Sequence, residues 1–295
     1  MHRRSKWAYL FTLPYMINLT VFFYIPVIFS LYIAFTQWDF FNPPKFIGLS
    51  NWTTIVNDER FIGALRNIFL FTLVVVPLQA FLALIVAYLL NMSIRFKGFF
   101  RFAYFLPVIT PWVAGGLLWV WIYNYDFGIL NWLLGELGIP KVNWLDHELW
   151  WVVILSIAFV NVWKSVGYSM ILLLAGMQNV SSDLREAAKI DGAGEMTIFL
   201  KIVIPLVSPM IYLVMILATI SSFQAFDVFL IMADANLNVM PDRTMVPNMM
   251  IYREAFLYSR MGSASAMAWF LFAIIMIFTI IQRLMEKKWV HYENN

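Results

Sequence analysis

Two ionisable side chains, Lys164 and Asp227, fall inside long apolar stretches of this 295-residue chain. A charge at membrane depth is costly, and it marks a polar path, an ion pair or a face turned to water. Around Lys164, residues Asn161, Ser165 and Tyr168 follow an i, i+4, i+7 spacing and share one helical face. Ser221, Ser222, Gln224 and Phe226 cluster just before Asp227. Such groups offer hydrogen bonds and flat rings to a polar solute. They serve equally as ordinary interhelical hydrogen bonds, each worth under about 1 kcal/mol.

No catalytic constellation accompanies them. The chain lacks a G-x-x-x-x-G-K-[ST] phosphate cradle, an H-E-x-x-H pair and a G-x-S-x-G elbow. His2, His147 and His291 are too scattered for a local metal site, and cysteine is absent. Nucleic-acid signatures are missing as well. The expectation is a non-enzyme with no metal, no cofactor in this chain and no nucleic-acid partner.

The elements that position these residues follow from composition. The chain is 62% hydrophobic and 13% charged, about half the charged share of a soluble domain. The apolar residues come in blocks of about twenty or more, enough to cross a hydrocarbon core of about 30 Å as helices. Six spans are predicted, over residues 7–35, 67–90, 102–125, 150–175, 202–231 and 263–282, in a single all-α membrane bundle covering 1–295. The first stretch is too long for a signal-peptide apolar region and is read as a retained span. Pro14, Pro26, Pro77, Pro107 and Pro111 fall inside spans, where they predict kinks. By a rise of 1.5 Å per residue, Lys164 lies about 21 Å from Trp150, and Asp227 about 37 Å from Ile202. The expected depths differ, so no direct bridge between them is predicted.

Basic residues set orientation. One side collects Arg3, Arg4, Lys6, Arg95, Lys97, Arg101, Arg185, Lys189, Lys201, Arg283, Lys287 and Lys288. The other collects Lys45, Arg60, Lys141, Arg243, Arg253 and Arg260, half as many. Both termini are therefore expected in the cytoplasm, and the loop between the fourth and fifth spans, 176–201, with them. That loop reads as a short helix capped by Ser181 or Ser182, a break at Asp191-Gly192-Ala193-Gly194, and a second helix leading to Pro205.

The loop resembles the EAA motif of ABC-importer permeases: E-A-A, three residues, G, nine residues, I-x-L-P. Glu186, Ala187, Ala188, Gly192, Ile202 and Pro205 stand at those spacings, with Ile204 for the usual Leu. Asp191, Gly192 and Ala193 extend the match to the E-A-A-x-x-D-G-A form of carbohydrate permeases. Phe46–Trp52 resembles the family's F-x-G-L-x-N segment, and Leu174–Gln178 its L-A-G-L-Q entry to the loop. The tail Trp289–Glu293 is similar to the MalF-like, UgpA-like member of a permease pair.

The resemblance implies a bacterial cytoplasmic-membrane permease that admits a carbohydrate. Its implied partners are a second, MalG-like permease, two ABC ATPase subunits that bind ATP and Mg, an extracytoplasmic solute-binding protein, and membrane lipid. It makes Glu186 the charged contact to the ATPase. Ala187 and Ala188 become a close-packing face, Asp191 and Gly192 the bend, and Pro205 the entry to the fifth span. Asn161, Lys164, Tyr168, Ser222, Gln224, Phe226 and Asp227 become candidates for the substrate path. An ion-driven secondary transporter is the alternative. It predicts inverted repeats and mid-depth charges in both halves, whereas no repeat is evident and one mid-depth charge is found. The outer stretch Ala233–Pro241 lacks the G-G-P often found there in the family.

Overall fold

The computed structural model describes residues 3–92, 94–232 and 244–290, with side chains from Phe11 onward. The stretch Ala233–Pro241, Arg243 and the tail beyond Val290 lie outside the described residues. Helix α1 (Arg3–Leu19) runs through a π turn at Thr20–Tyr24 into α2 (Ile25–Ile33). Pro26 has no N–H to continue the α ladder, and the wider turn sits just before it. A two-residue antiparallel pair follows, β1 (Thr36–Gln37) with β2 (Lys45–Phe46), in the register Thr36 opposite Phe46. Then come α3 (Ser50–Val56) and the long α4 (Glu59–Asn91), which passes Pro77 without a break.

The third expected span is not one helix. It divides into α5 (Lys97–Ile109) and α6 (Trp112–Ile122), bent by 98°. The kink expected at Pro107 and Pro111 is thus a full break. Proline disfavours the helical region for the residue before it, and Thr110 is extended, at φ −69° and ψ 131°. After α7 (Ile129–Glu136), α8 (Trp150–Gln178) forms the fourth span. Helices α9 (Ser182–Ile190) and α10 (Glu195–Ile198) lead by a π stretch at Phe199–Val203 into α11 (Ile204–Phe223).

The fifth span therefore stops at Phe223, not near residue 231, and α12 (Asp227–Met232) is a separate short helix. Helix α13 (Pro247–Tyr252), a π turn at Arg253–Leu257 and α14 (Met261–Trp289) complete the described chain. Among the described residues, five helices are long and apolar enough to cross a membrane, six if the bent pair counts as one span.

The chain divides into two compact units. One takes in the chain up to Ile62 together with Pro247–Phe272. Here the β pair is tied to the start of α14: Met261 donates its backbone N–H to Trp38 O at 3.0 Å, and Asn51 Nδ2 bridges the carbonyls of Ala34 and Thr36. Gly262 is required, since a Cβ there would strike the Thr36 carbonyl. The Phe11–Ile33 stretch is 6% buried over its most apolar window, and most of its exposed side chains are apolar, the pattern of a helix whose solvent is lipid or another subunit.

The second unit takes in Gly63–Val246 and the chain from Ala273. Helix α8 is its axis. It is 67% buried over its most apolar stretch and packs against α5, α11 and α12. Gly167 lets the backbone of α5 approach so closely that a Cβ would meet the Tyr104 carbonyl.

Candidate functional site

A cavity of about 460 Å³ opens in the second unit, between α4, α8, the α5–α6 break, α11 and α12. Six of the seven candidates for the path line it: Asn161, Lys164 and Tyr168 from α8, and Gln224, Phe226 and Asp227 from the α11–α12 junction. Ser222 does not. Its side chain is fully buried with its hydroxyl unpartnered, and Ser221 faces the cavity instead. The helical periodicity of α11 rotates the two serines apart by about 100°.

Lys164 and Asp227, placed at different depths by a straight-helix reading, come to one site. Both line the same cavity. Asp227 would stand far from Lys164 if one straight helix ran on from Ile202, whereas the chain leaves that helix at Phe223. The two are not salt-bridged. Lys164 Nζ donates to the carbonyls of Pro107 at 2.9 Å, Thr110 at 2.5 Å and Val108 at 3.4 Å, and lies 4.9 Å from the centre of the Trp112 ring. The Asp227 carboxylate makes no hydrogen bond or ion pair among the described residues.

Sequence reasoning missed three lining groups. Gln79 of α4 donates to Ser169 Oγ at 2.8 Å, and both are buried. Its signal was an amide alone in an apolar stretch. Trp112 reaches the wall because the chain turns at Pro111, which the prolines announced but no periodicity located. The cavity thus combines three rings, Trp112, Tyr168 and Phe226, with the amides of Gln79, Asn161 and Gln224, the Lys164 ammonium and one carboxylate. Rings against C–H faces and amides against hydroxyls suit a polyhydroxylated solute.

The loop before α11 is a second arrangement of interest. Ser181 Oγ caps α9 by accepting the Asp183 N–H at 3.2 Å. The helix ends in a Schellman motif: Ala193 N–H donates to Ala188 O at 2.9 Å and Gly192 N–H to Lys189 O at 3.0 Å. Gly192 has φ +81°, the left-handed conformation that this ending needs. Glu186, Ala187 and Asp191 are exposed, Ala188 is half-buried, and Pro205 sits in the first turn of α11.

The hairpin is closed by Lys189 Nζ to Glu195 Oε1 at 2.8 Å. It is seated on the end of α4, where Tyr88 OH meets Glu195 Oε2 at 3.2 Å and the Tyr88 and Phe199 ring centres are 4.2 Å apart. Asn91, with its amide oxygen turned to Arg185, accepts from the guanidinium at 2.7 Å. Tyr88 and Asn91 carried no sequence signal. Leu184, Ile190 and Met196 stand exposed on this hairpin.

Comparison with known proteins adds to this geometry. Residues 69–291 match the family described as binding-protein-dependent transport system inner membrane component. The probable ABC transporter permease protein YesP of Bacillus subtilis is 35% identical over 97% of this chain and 92% of its own length. The trehalose/maltose transport system permease protein MalF of Thermococcus litoralis is 30% identical over 95% of this chain and 93% of its own. In fold, the chain is similar to a crystal structure of a bacterial ABC transporter involved in import of the acidic polysaccharide alginate. The TM-score is 0.83 at 22% identity, covering 97% of this chain and 96% of that one.

Proposed function

From the premise that the chain belongs to the family of binding-protein-dependent transport system inner membrane components, and is a multi-span membrane protein, we propose its particular task. It is the MalF-like permease of an ABC importer and, with a MalG-like permease, encloses the path of a carbohydrate delivered by an extracytoplasmic solute-binding protein. The observation that carries this reading is the cavity where Trp112, Tyr168 and Phe226 meet Asn161, Gln224 and Asp227. The relatives include a trehalose/maltose permease and an arabinooligosaccharide permease, which favours a carbohydrate class.

In this reading the α9–α10 hairpin is the coupling element. Two ATPase subunits bind ATP and Mg and receive α9, with Glu186 as the charged contact and Ala187 and Ala188 as the close face. The seating of Arg185 and Glu195 on α4 suits a hairpin that moves with the spans as one body, which rigid-body switching between inward- and outward-facing packings requires. The excess of Lys and Arg on one side supports a cytoplasmic position for both termini and for this hairpin.

Purification of the tagged chain from its host membrane tests the proposal. Co-elution with an ATPase and a second permease is expected, with ATP hydrolysis stimulated by the sugar-loaded binding protein. Uptake by this chain alone, driven by an ion gradient, would replace it with the secondary-transporter reading.

A further inference from the structure

Lys164 is an intramembrane cation whose use the proposed transport path leaves open. Its surroundings are backbone, not solute. In a continuous helix, the Pro107 carbonyl would accept the N–H of residue 111. Residue 111 is proline and has none. The neighbouring carbonyls are freed too, because the chain leaves the helix at Thr110 and turns by 98° into α6. Thr110 Oγ1 turns back to the Leu106 carbonyl at 2.9 Å. Lys164 Nζ reaches across from α8 and takes the carbonyls of Pro107, Val108 and Thr110. An ammonium has three protons, and three acceptors surround it. A cation is also the favoured partner for the negative end of a helix.

We infer that Lys164 is a positioning residue: its ammonium takes the place of the N–H that Pro111 lacks and fixes the α5–α6 break. It thereby sets the wall of the cavity on which Trp112 stands, and does not contact the transported solute. The inference deepens the proposed path and rests on it only for what the cavity holds.

The chain has no cysteine, so a single thiol reports on the cavity without background in this subunit. Ser221→Cys places one on the α11 wall. In the assembled transporter in membranes, its rate of labelling by a small maleimide is measured alone and combined with Lys164→Met, Lys164→Gln and Lys164→Arg. Methionine matches the length and cannot donate. Its expected effect is a change in labelling rate of about tenfold, the equivalent of one buried hydrogen bond lost. Arginine is expected to label within about twofold of the parent. Glutamine, a neutral donor, is expected to fall between them, and carries the test if the methionine variant does not reach the membrane.

Parental labelling in Lys164→Met and Lys164→Gln, or arginine as disruptive as methionine, overturns the inference. So does loss of uptake in Lys164→Met with labelling unchanged, which would assign the charge to the solute. Labelling needs no sugar. A transporter that shows the expected labelling series but moves no carbohydrate would sink the proposed substrate and leave the role of Lys164 standing.

Discussion

Lys189 and Glu195 face each other at 2.8 Å across the turn made by Gly192, so the residues just after the E-A-A triplet clamp their own hairpin. Both side chains are more than half exposed, and an exposed pair contributes little alone. The turn itself is less replaceable. At φ +81°, a β-carbon at position 192 is strained by about 1 kcal/mol or more, and proline cannot adopt that φ at all. Lys189→Ala is expected to leave ATP-driven uptake within about twofold of the parent. Gly192→Pro is expected to abolish uptake with normal insertion. Uptake and membrane abundance in the two variants check both statements.

Glu186→Lys separates the fold of the hairpin from its proposed task. Glu186 is exposed and makes no contact that α9 needs, since Ser181 and Gly192 define the ends of the helix. Reversal of its charge is therefore expected to leave thermal stability of the permease unchanged and to abolish uptake. Co-purification of the ATPase with the variant, against the parent, measures the lost contact directly.

At Gly167 the backbone of α5 lies directly against α8. A methyl there would enter the Tyr104 carbonyl, which is backbone and cannot swing aside. Gly167→Ala is expected to destabilise the protein by about 1–3 kcal/mol as an overpacked contact. Because the displaced helix is α5, the same variant should also disturb the reach of Lys164 to Pro107 and Thr110. Thermal unfolding in detergent gives the first effect, and maleimide labelling at position 221 the second.

The spans were legible because hydropathy is local, whereas the break in the third and the early end of the fifth were not. Pro107 and Pro111 read as kinks, as Pro14 and Pro77 turn out to be mild or silent in their helices. What turns a kink into a tight break is a cation 54 to 57 residues further along the chain, which sequence windows cannot see. The end of α11 was missed because Phe226–Ile231 continues the apolar run after the helix has stopped at Phe223. The outline of the hairpin was legible, since capping and a left-handed glycine are chemical requirements; the structure puts the cap on Ser181, not Ser182, and the left-handed turn on Gly192. Its seating on Tyr88 and Asn91 was not, because neither residue type marks a docking position.

Glu254 gives the first unit a dependence on pH. Burial raises its carboxyl above the ordinary 4.5, and Asp58 adds to this, while Arg260, Ser263 and Arg60 pull it down. A raised acid binds its proton more tightly in the folded state, so its stabilisation is complete below 4.5 and is lost as pH climbs through the raised value. Asp39 has the opposite sign. Its carboxyl is held down by Asn42 and Phe41, so its contribution is present above 3.8 and lost in stronger acid. The melting temperature is expected to fall as pH rises above 4.5, and Glu254→Gln is expected to flatten that slope. An unchanged slope in the variant would assign it to another group.

Within the second unit, a polar contact joins α11 and α14, and a ring cluster joins both to α4. Gln282 of α14 donates to Thr219 Oγ1 at 2.8 Å. Nearby, the rings of Phe69, Phe223 and Phe278 form a closed triangle with centres 5.3 to 5.5 Å apart. In lipid there is no hydrophobic drive between helices, and an interhelical hydrogen bond averages about 0.6 kcal/mol. Packing then contributes more than the hydrogen bond. Phe223 is fully buried, and its removal leaves a cavity between three helices at a cost of about 3–5 kcal/mol. Phe223→Ala is therefore expected to lower thermal stability several times more than Gln282→Leu. Comparable losses in the two variants would mean that the polar contact, not the ring cluster, sets the spacing of these helices.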